Sequence, residues 1–113
     1  MPQIDLPSIS PIEMIKGYHA RFIHTEQMTL NFLEVEAGAT VPEHSHPHEQ
    51  VSIVTEGEFE LTVAGEKMRF GPGKVIVIPS NVKHSGIAIT DCKLLDVFTP
   101  VREDYRALSE KGR

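Results

Sequence analysis

With 113 residues, 40% of them hydrophobic and 24% charged, the chain has room for one globular domain. A formal net charge of −5 argues against a nucleic-acid partner, because phosphate binding requires a basic face, although a few local cations still allow an anionic small-molecule substrate. No apolar run approaches the roughly 20 residues of a membrane span, no signal-peptide pattern opens the chain, and one cysteine (Cys92) excludes an intrachain disulfide, which together predict a cytoplasmic protein.

Residues 1–16 carry three prolines and no hydrophobic period, so we expect an irregular N-terminal arm with at most one short strand or turn, followed by a single domain over residues 17–113. From residue 28 the dominant period is two, which is typical of strands. The Ala64-Gly65 pair between two alternating runs predicts a hairpin turn. The expected strands cover residues 28–36, 51–55, 59–63, 67–70, 75–78, 84–89 and 93–99.

Many short strands with glycine and proline between them predict an all-β sandwich or barrel. Only residues 102–111, after the last expected strand, show a helical pattern, and they predict a short C-terminal helical turn. No internal repeat or linker interrupts the pattern, so one barrel accounts for the whole domain.

Six histidines occur, and three of them lie in the heptapeptide at 44–50. Residues two apart on a strand point to the same side, so His44 and His46 are placed to bind one ion together. Neutral imidazole is a common ligand of zinc, nickel, copper and iron. A lone histidine is more often an ordinary surface or core residue, and we interpret His19 and His24 in that way. The cluster predicts one divalent transition metal ion, and the residue types do not choose among Ni, Zn, Fe, Mn and Cu.

The residues around this cluster have a recognisable spacing. Five residues separate Gly38 from His44-x-His46, three more precede Gln50, and six separate Gln50 from Gly57. This spacing resembles the first conserved motif of the cupin family, except that Gln50 stands where glutamate is more usual.

A second motif follows in the expected order and at the expected separation. Gly73, five further residues, Pro79 and then His84 resemble the second cupin motif, although Asn81 replaces a usual glycine and Ala88 a usual asparagine. The resemblance implies a cupin barrel, of the double-stranded β-helix or jelly-roll type, with one metal ion inside. The implied metal ligands are His44, His46, Gln50 and His84.

Two neighbours compete with Gln50 for a ligand role. Pro47 interrupts the alternation before His48, which we interpret as a rim residue, and the motif spacing favours Gln50 over Glu49. With an amide as fourth ligand the donor set is neutral, so the ion keeps its full formal charge and favours an anionic substrate group. The two-histidine, one-carboxylate set of many iron oxygenases is absent, which favours Lewis-acid chemistry.

The last expected strand has large apolar residues on both sides. Leu94, Asp96 and Phe98 share one face, and Leu95 and Val97 share the other, so we expect both faces to be covered. Asp96 is then a carboxylate in an apolar setting, which is costly unless the group is paired or functional. The two interpretations, a structural salt bridge or hydrogen bond and a functional carboxylate, are equally open at this point.

A narrower resemblance involves the end of this strand. Asp96-x-Phe98-x-x-x-Arg102, after the histidine heptapeptide, resembles the ending of the KdgF-type pectin-degradation cupins. Those small single-domain proteins convert 4,5-unsaturated monouronates to linear ketonised sugars. The resemblance implies that Asp96 moves protons, that Phe98 packs against the sugar ring and that Arg102 clamps the sugar carboxylate with its fork of donors. Arg102 also begins a charged run of a kind that is usually a solvated face.

Two other functions remain open from the sequence. One is a non-catalytic metal-dependent cupin that binds a sugar or metabolite, and the other is a metal-dependent dioxygenase that acts on another small acid. Small cupins usually form dimers, so we expect a homodimer in which the N-terminal arm adds a strand to the partner's sheet or strand 93–99 is buried at the interface.

Overall fold

A computed structural model describes residues 3–111 and places ten β-strands in two antiparallel sheets, followed by one α-helix. The strands are β1 (Ile12–Ile15), β2 (Tyr18–His24), β3 (Thr29–Val35), β4 (Thr40–His44), β5 (Glu49–Glu56), β6 (Phe59–Val63), β7 (Glu66–Phe70), β8 (Val75–Ile78), β9 (His84–Ala88) and β10 (Cys92–Thr99), and the helix is α1 (Glu103–Lys111). The six-stranded sheet has the order β1-β2-β3-β10-β5-β8, and the four-stranded sheet has the order β4-β9-β6-β7. This confirms the all-β prediction.

Every strand expected from residue 28 onward is present, but the sequence interpretation missed β2 and β4. In β2 the buried Tyr18, Ala20 and Phe22 alternate with His19 and Arg21, which is a period-two strand signal that the sequence interpretation overlooked. Strand β4 contains Pro42 and lies at the edge of its sheet, where a missing backbone N–H is tolerated. The residues of β4 have a low intrinsic preference for strand structure, but their pairing with β9 holds them in one.

The described part of the N-terminal arm contains a short 3-10 helix, Leu6–Ser8, and strand β1. Strand β1 pairs with β2 and forms one edge of the six-stranded sheet. The division into an arm over residues 1–16 and a domain over 17–113 stays a prediction, and residues 1 and 2 lie outside the described part. Within residues 3–111 no helix has the length and apolarity needed to cross a membrane, and the cytoplasmic location also stays a prediction.

The core lies between the two sheets. Tyr18, Phe22 and Leu33 from the large sheet are buried against the small sheet's Phe59 and its neighbours, and the Tyr18 and Phe59 rings meet edge to face at 6.5 Å. The short helical element predicted at the C-terminus is present as α1, which makes two and a half turns over Glu103–Lys111. The helix packs on the large sheet through Tyr105, whose ring lies 5.1 Å from that of Phe22.

Gly57, the last glycine of the first motif, has a structural reason to be glycine. Its φ is +85°, and a Cβ at this position would collide with the Asp91 carbonyl and lie 2.8 Å from the Thr90 Oγ1. The same Thr90 hydroxyl accepts a hydrogen bond from the Glu58 backbone N–H at 3.0 Å. The β5–β6 turn therefore approaches the β9–β10 turn too closely for any larger residue.

Candidate functional site

The structure brings the four candidate metal ligands together at one end of the barrel. His44 ends β4, His84 begins the adjacent β9, and the two are register partners. His46 lies in the loop after β4, and Gln50 is the second residue of β5. The ligand nitrogens of the three histidines all lie within 4.8 Å of one another. The Oε1 of Gln50 lies 3.0 Å from the Nε2 of His46.

Backbone carbonyls orient all three rings in the same way. Each ring donates its Nδ1–H to a carbonyl oxygen, which can only accept, so each neutral ring carries its free lone pair on Nε2. The bonds run from His44 to Pro42 (2.9 Å), from His46 to His48 (3.0 Å) and from His84 to Val82 (2.9 Å).

The donor set leaves lone pairs that no protein group satisfies. Burial lowers the pKa of both His46 and His84, so both rings are neutral at pH 7, and for His46 the nearby Arg102 charge lowers it further. The His84 Nε2 is buried without a hydrogen-bond partner among the described residues. The His46 Nε2 and the Gln50 Oε1 are both acceptors, yet they face each other at 3.0 Å. A cation between these atoms resolves the arrangement, so the residues fit a divalent metal ion.

The competing ligands lie outside this group. Glu49 is exposed, and the His48 ring packs 5.7 Å from that of His46, to which His48 offers its backbone carbonyl instead. His19 pairs with the exposed Glu36 at 2.8 Å, in agreement with the surface interpretation.

The candidate ligands open into a cavity of roughly 370 Å³ between the sheets, within the size range of small-molecule sites. His44, Gln50 and His84 line one part of its wall, and Asp96 and Phe98 line another. Most of the remaining wall is apolar, including residues of both sheets and of α1. A small polar ligand in this cavity therefore meets both the histidine lone pairs and the Asp96 carboxyl.

Asp96 lies in the middle of β10, between Asn31 on β3 and Ser52 on β5. The Ser52 hydroxyl donates to the Asp96 Oδ1 at 2.8 Å. Burial raises the pKa of Asp96 to about 6, and the hydrogen bond from Ser52, the nearby Gln50 amide and the charge of Arg102, in that order, offset only part of that effect. Within residues 3–111 the structure thus shows hydrogen bonding but no salt bridge to Asp96, whose pKa is raised toward neutrality.

Phe98 and Arg102 both lie near the candidate metal ligands, but they make different contacts. The Phe98 ring lines the cavity and packs edge to face on His46 at 5.5 Å. Arg102 is 7% exposed, so it is not part of a solvated face, and its guanidinium stacks 3.8 Å from the Tyr105 ring centre. Asp104 accepts from its Nε and Nη2 at 3.0 and 2.7 Å, whereas the buried Nη1 has no partner among residues 3–111.

Three residues of this region escaped the sequence interpretation. Ser52 lies two residues after Gln50 on β5, and that same-face spacing was the available signal. Asn31 is 1% exposed and lines the cavity opposite Asp96, but its strand shows only an ordinary alternation. Tyr105 lines the cavity from α1, and nothing in the helical pattern distinguishes it.

Comparisons with known proteins agree with this architecture. The model of the Cupin_2 cupin domain matches residues 31–98. The pectin degradation protein KdgF of Dickeya dadantii is 31% identical over 70 residues, which are 60% of this chain and 64% of that protein.

Two solved structures are similar over most of both chains. KdgF from a Halomonas species has a TM-score of 0.81 and 29% identity over 85% of this chain and 90% of its own. An RmlC-like cupin from Shewanella frigidimarina has a TM-score of 0.83 and 28% identity over 88% of this chain and 90% of its own. These matches confirm the predicted cupin fold and the resemblance to KdgF. The chain belongs to the Cupin_2 family of cupin domains.

Proposed function

We propose that the protein is a metal-dependent enzyme that converts 4,5-unsaturated monouronates from pectin or alginate to linear ketonised sugars. One observation carries the proposal: His44, Gln50 and His84 of the neutral donor set line the same cavity as Asp96, a carboxyl whose pKa is raised to about 6. The similarity to two KdgF proteins supports the substrate class.

The proposed reaction is an isomerisation. Ring opening moves a proton from the anomeric hydroxyl to the oxygen released from the ring, which gives an aldehyde and an enol. Ketonisation then moves a proton from the enol oxygen to carbon, so no oxidant or reductant is consumed. A metal ion on His44, His46, Gln50 and His84 supplies Lewis-acid stabilisation of negative charge on oxygen when it is bound.

Asp96 is the proposed proton shuttle, because a carboxyl with a pKa near the working pH both accepts and returns protons. Ser52 holds its Oδ1 in place, and the apolar wall limits competing water. Phe98 offers an aromatic edge to the sugar ring. Arg102 has two donors engaged by Asp104, so we assign it a single hydrogen bond from Nη1 to the sugar carboxylate instead of a two-pronged clamp.

A direct assay tests the function. The protein, loaded with Ni²⁺ or Zn²⁺, is incubated with a 4,5-unsaturated monouronate, and loss of the conjugated double bond's ultraviolet absorbance is compared with the uncatalysed rate. We expect acceleration that chelator treatment abolishes and metal restores. An oxygen electrode run on the same mixture should record no uptake, whereas a dioxygenase would consume oxygen. Absence of acceleration would refute the uronate activity and leave the family assignment standing.

We also propose that the protein is a homodimer joined through the outer face of the six-stranded sheet. Two apolar rows cross this face, following the strand register. The first row is Val77, Val51, Val97, Leu30 and Ile23, and the second is Val75, Ile53, Leu95 and Phe32. The exposed fractions of Val75 and Val77 are 57% and 55%, and the other members are half-buried. Five strands at roughly 4.8 Å spacing make this apolar face about 19 Å wide, and a two-fold axis would pack it on its own copy.

Sedimentation velocity at micromolar concentration tests the dimer. We expect wild-type protein to sediment as a dimer and Val77→Lys to sediment as a monomer, because a lysine ammonium placed at the β8 end of the first apolar row would lose hydration against the partner's apolar face. Ile4→Lys is the matched control, since Ile4 is 54% exposed but lies outside the two rows, and it should remain dimeric. A monomeric wild type would refute this interface.

A further inference from the structure

We infer that Ser52 is a positioning residue that turns the amide oxygen of Gln50 toward the histidines, and so prepares the fourth metal ligand. The inference rests on the metal centre proposed above and not on the identity of the substrate. Among the described residues the Ser52 hydroxyl bonds to Gln50 and Asp96 and to no histidine of the donor set, so its effect on the metal is exerted through Gln50.

A chain of hydrogen bonds runs from the carboxyl on β10 to the donor set. The Ser52 hydroxyl donates to the Asp96 Oδ1 at 2.8 Å and accepts from the Gln50 Nε2 at 3.0 Å. The Gln50 Oε1 then faces the His46 Nε2 at 3.0 Å. Ser52 and Gln50 are 1% and 6% exposed, so bulk water does not offer their polar atoms alternative partners.

The number of available protons fixes which group donates in each of these hydrogen bonds. A hydroxyl has a single proton, and Ser52 gives it to Asp96, an acceptor when ionised. Ser52 therefore offers Gln50 only lone pairs, and only the NH₂ end of the amide can satisfy them. The oxygen end of Gln50 is left toward His46, where it meets a second acceptor and where a cation is the group that satisfies both.

Ser52 disfavours the opposite, turned orientation of the Gln50 amide, in which the oxygen and the NH₂ group exchange places. With its ends exchanged, Gln50 would donate an N–H to the lone pair of His46 and satisfy that nitrogen without any metal. In the wild type this places the amide oxygen against the Ser52 oxygen, whose proton is already committed, so two acceptors would clash. Removing the hydroxyl removes this clash and leaves only the Asp96 carboxyl, which also attracts the Gln50 NH₂ group, to favour the wild-type orientation. The turned, metal-free arrangement then becomes more populated, and a metal ion must reverse it at a cost in affinity.

The test measures Zn²⁺ affinity by competition with a chromophoric chelator, with no substrate present. We expect Ser52→Ala to weaken Zn²⁺ binding by about 10- to 100-fold, the range found when outer-shell partners of metal ligands are removed. Ser109→Ala, which also deletes a buried hydroxyl but on α1, should leave the affinity unchanged. Circular dichroism and thermal unfolding of the metal-free variants show whether each remains folded.

A second background separates orientation from packing. A carboxylate has two equivalent oxygens and no NH₂ end, so Gln50→Glu needs no partner to choose which atom faces the ion. We expect that Ser52→Ala does not weaken Zn²⁺ binding in the Gln50→Glu protein, because the lone pairs of Ser52 there face a second carboxylate oxygen and the hydroxyl gives the ligand no support. Ser52→Thr, which keeps the hydroxyl, should retain most of the wild-type affinity. An equal loss in both backgrounds, or no loss from Ser52→Ala alone, would overturn the inference. Because the measurement uses metal alone, it also stands apart from a failure of the uronate assay.

Discussion

Replacement of Asp96 by asparagine is expected to lower the turnover of a 4,5-unsaturated monouronate by about 100- to 10,000-fold, the contribution typical of a positioned general acid or base. Asparagine has nearly the same shape, and its oxygen still accepts the Ser52 hydrogen bond, so the orientation of Gln50 and the affinity for metal should be kept. What disappears is a carboxyl able to hold and release a proton in the cavity.

The same substitution should make the metal-free protein more stable at alkaline pH. Burial raises the pKa of Asp96 from 3.8 to about 6, so the folded protein resists the charge that the unfolded chain accepts. Ionisation of the buried Asp96 therefore lowers the free energy of unfolding. This loss of stability is absent below pH 4, grows between the two pKa values and is complete above pH 6, where it amounts to up to about 3 kcal/mol. Asp96→Asn should therefore gain stability at pH 8 and gain nothing at pH 4.

Urea unfolding with a chelator present, at pH 4 and pH 8, measures that difference, and the absorbance assay measures turnover. Asp91→Asn serves as the control for both measurements. It removes an exposed carboxylate from the residue directly before β10. Near wild-type turnover of Asp96→Asn with normal metal content would show that Asp96 is not the proton shuttle. A variant that loses both activity and stability at pH 8 would indicate a structural carboxylate.

The sequence predicts those parts of the site that depend on local spacing. His44 and His46 are two residues apart beside a turn, and Gln50 follows at the start of the next strand, so a short stretch of backbone brings most of the donor set together. The motif glycines Gly38, Gly57 and Gly73 all have positive φ, which favours glycine at these turns, and at Gly57 a side chain would also collide with the β9–β10 turn. These features require no knowledge of how distant strands pair.

The parts that the sequence left unresolved depend on long-range register. Ser52 and Asp96 are separated by 44 positions, and they meet only because β5 and β10 pair with those residues opposite each other. The sequence showed Asp96 as a carboxylate in an apolar strand but not its partner. Arg102 likewise looked like the start of a solvated run, whereas the beginning of α1 folds Asp104 back onto its guanidinium and Tyr105 beneath it.

Replacement of His46 by alanine is expected to abolish both metal binding and turnover. His46 is near all three other donors, because its Nε2 faces the Gln50 Oε1 at 3.0 Å and its ring centre lies 5.7 and 4.9 Å from those of His44 and His84. Loss of a direct ligand should reduce Zn²⁺ affinity by more than about 100-fold, beyond the range of outer-shell changes. Turnover should fall to the uncatalysed rate at any metal concentration that leaves the wild type saturated.

His48→Ala is the matched control for this prediction. His48 is two residues away, and it supports the His46 ring through its backbone carbonyl, which the substitution leaves in place. Zn²⁺ at 100 times its dissociation constant should stabilise the wild type and His48→Ala by about 2.7 kcal/mol, seen as a higher melting temperature, and should leave His46→Ala unchanged. The donor set of converging Nε2 lone pairs predicts this contrast, because it includes His46 and excludes His48. If Zn²⁺ still stabilises His46→Ala, or no longer stabilises His48→Ala, the ion is held by a different set of side chains.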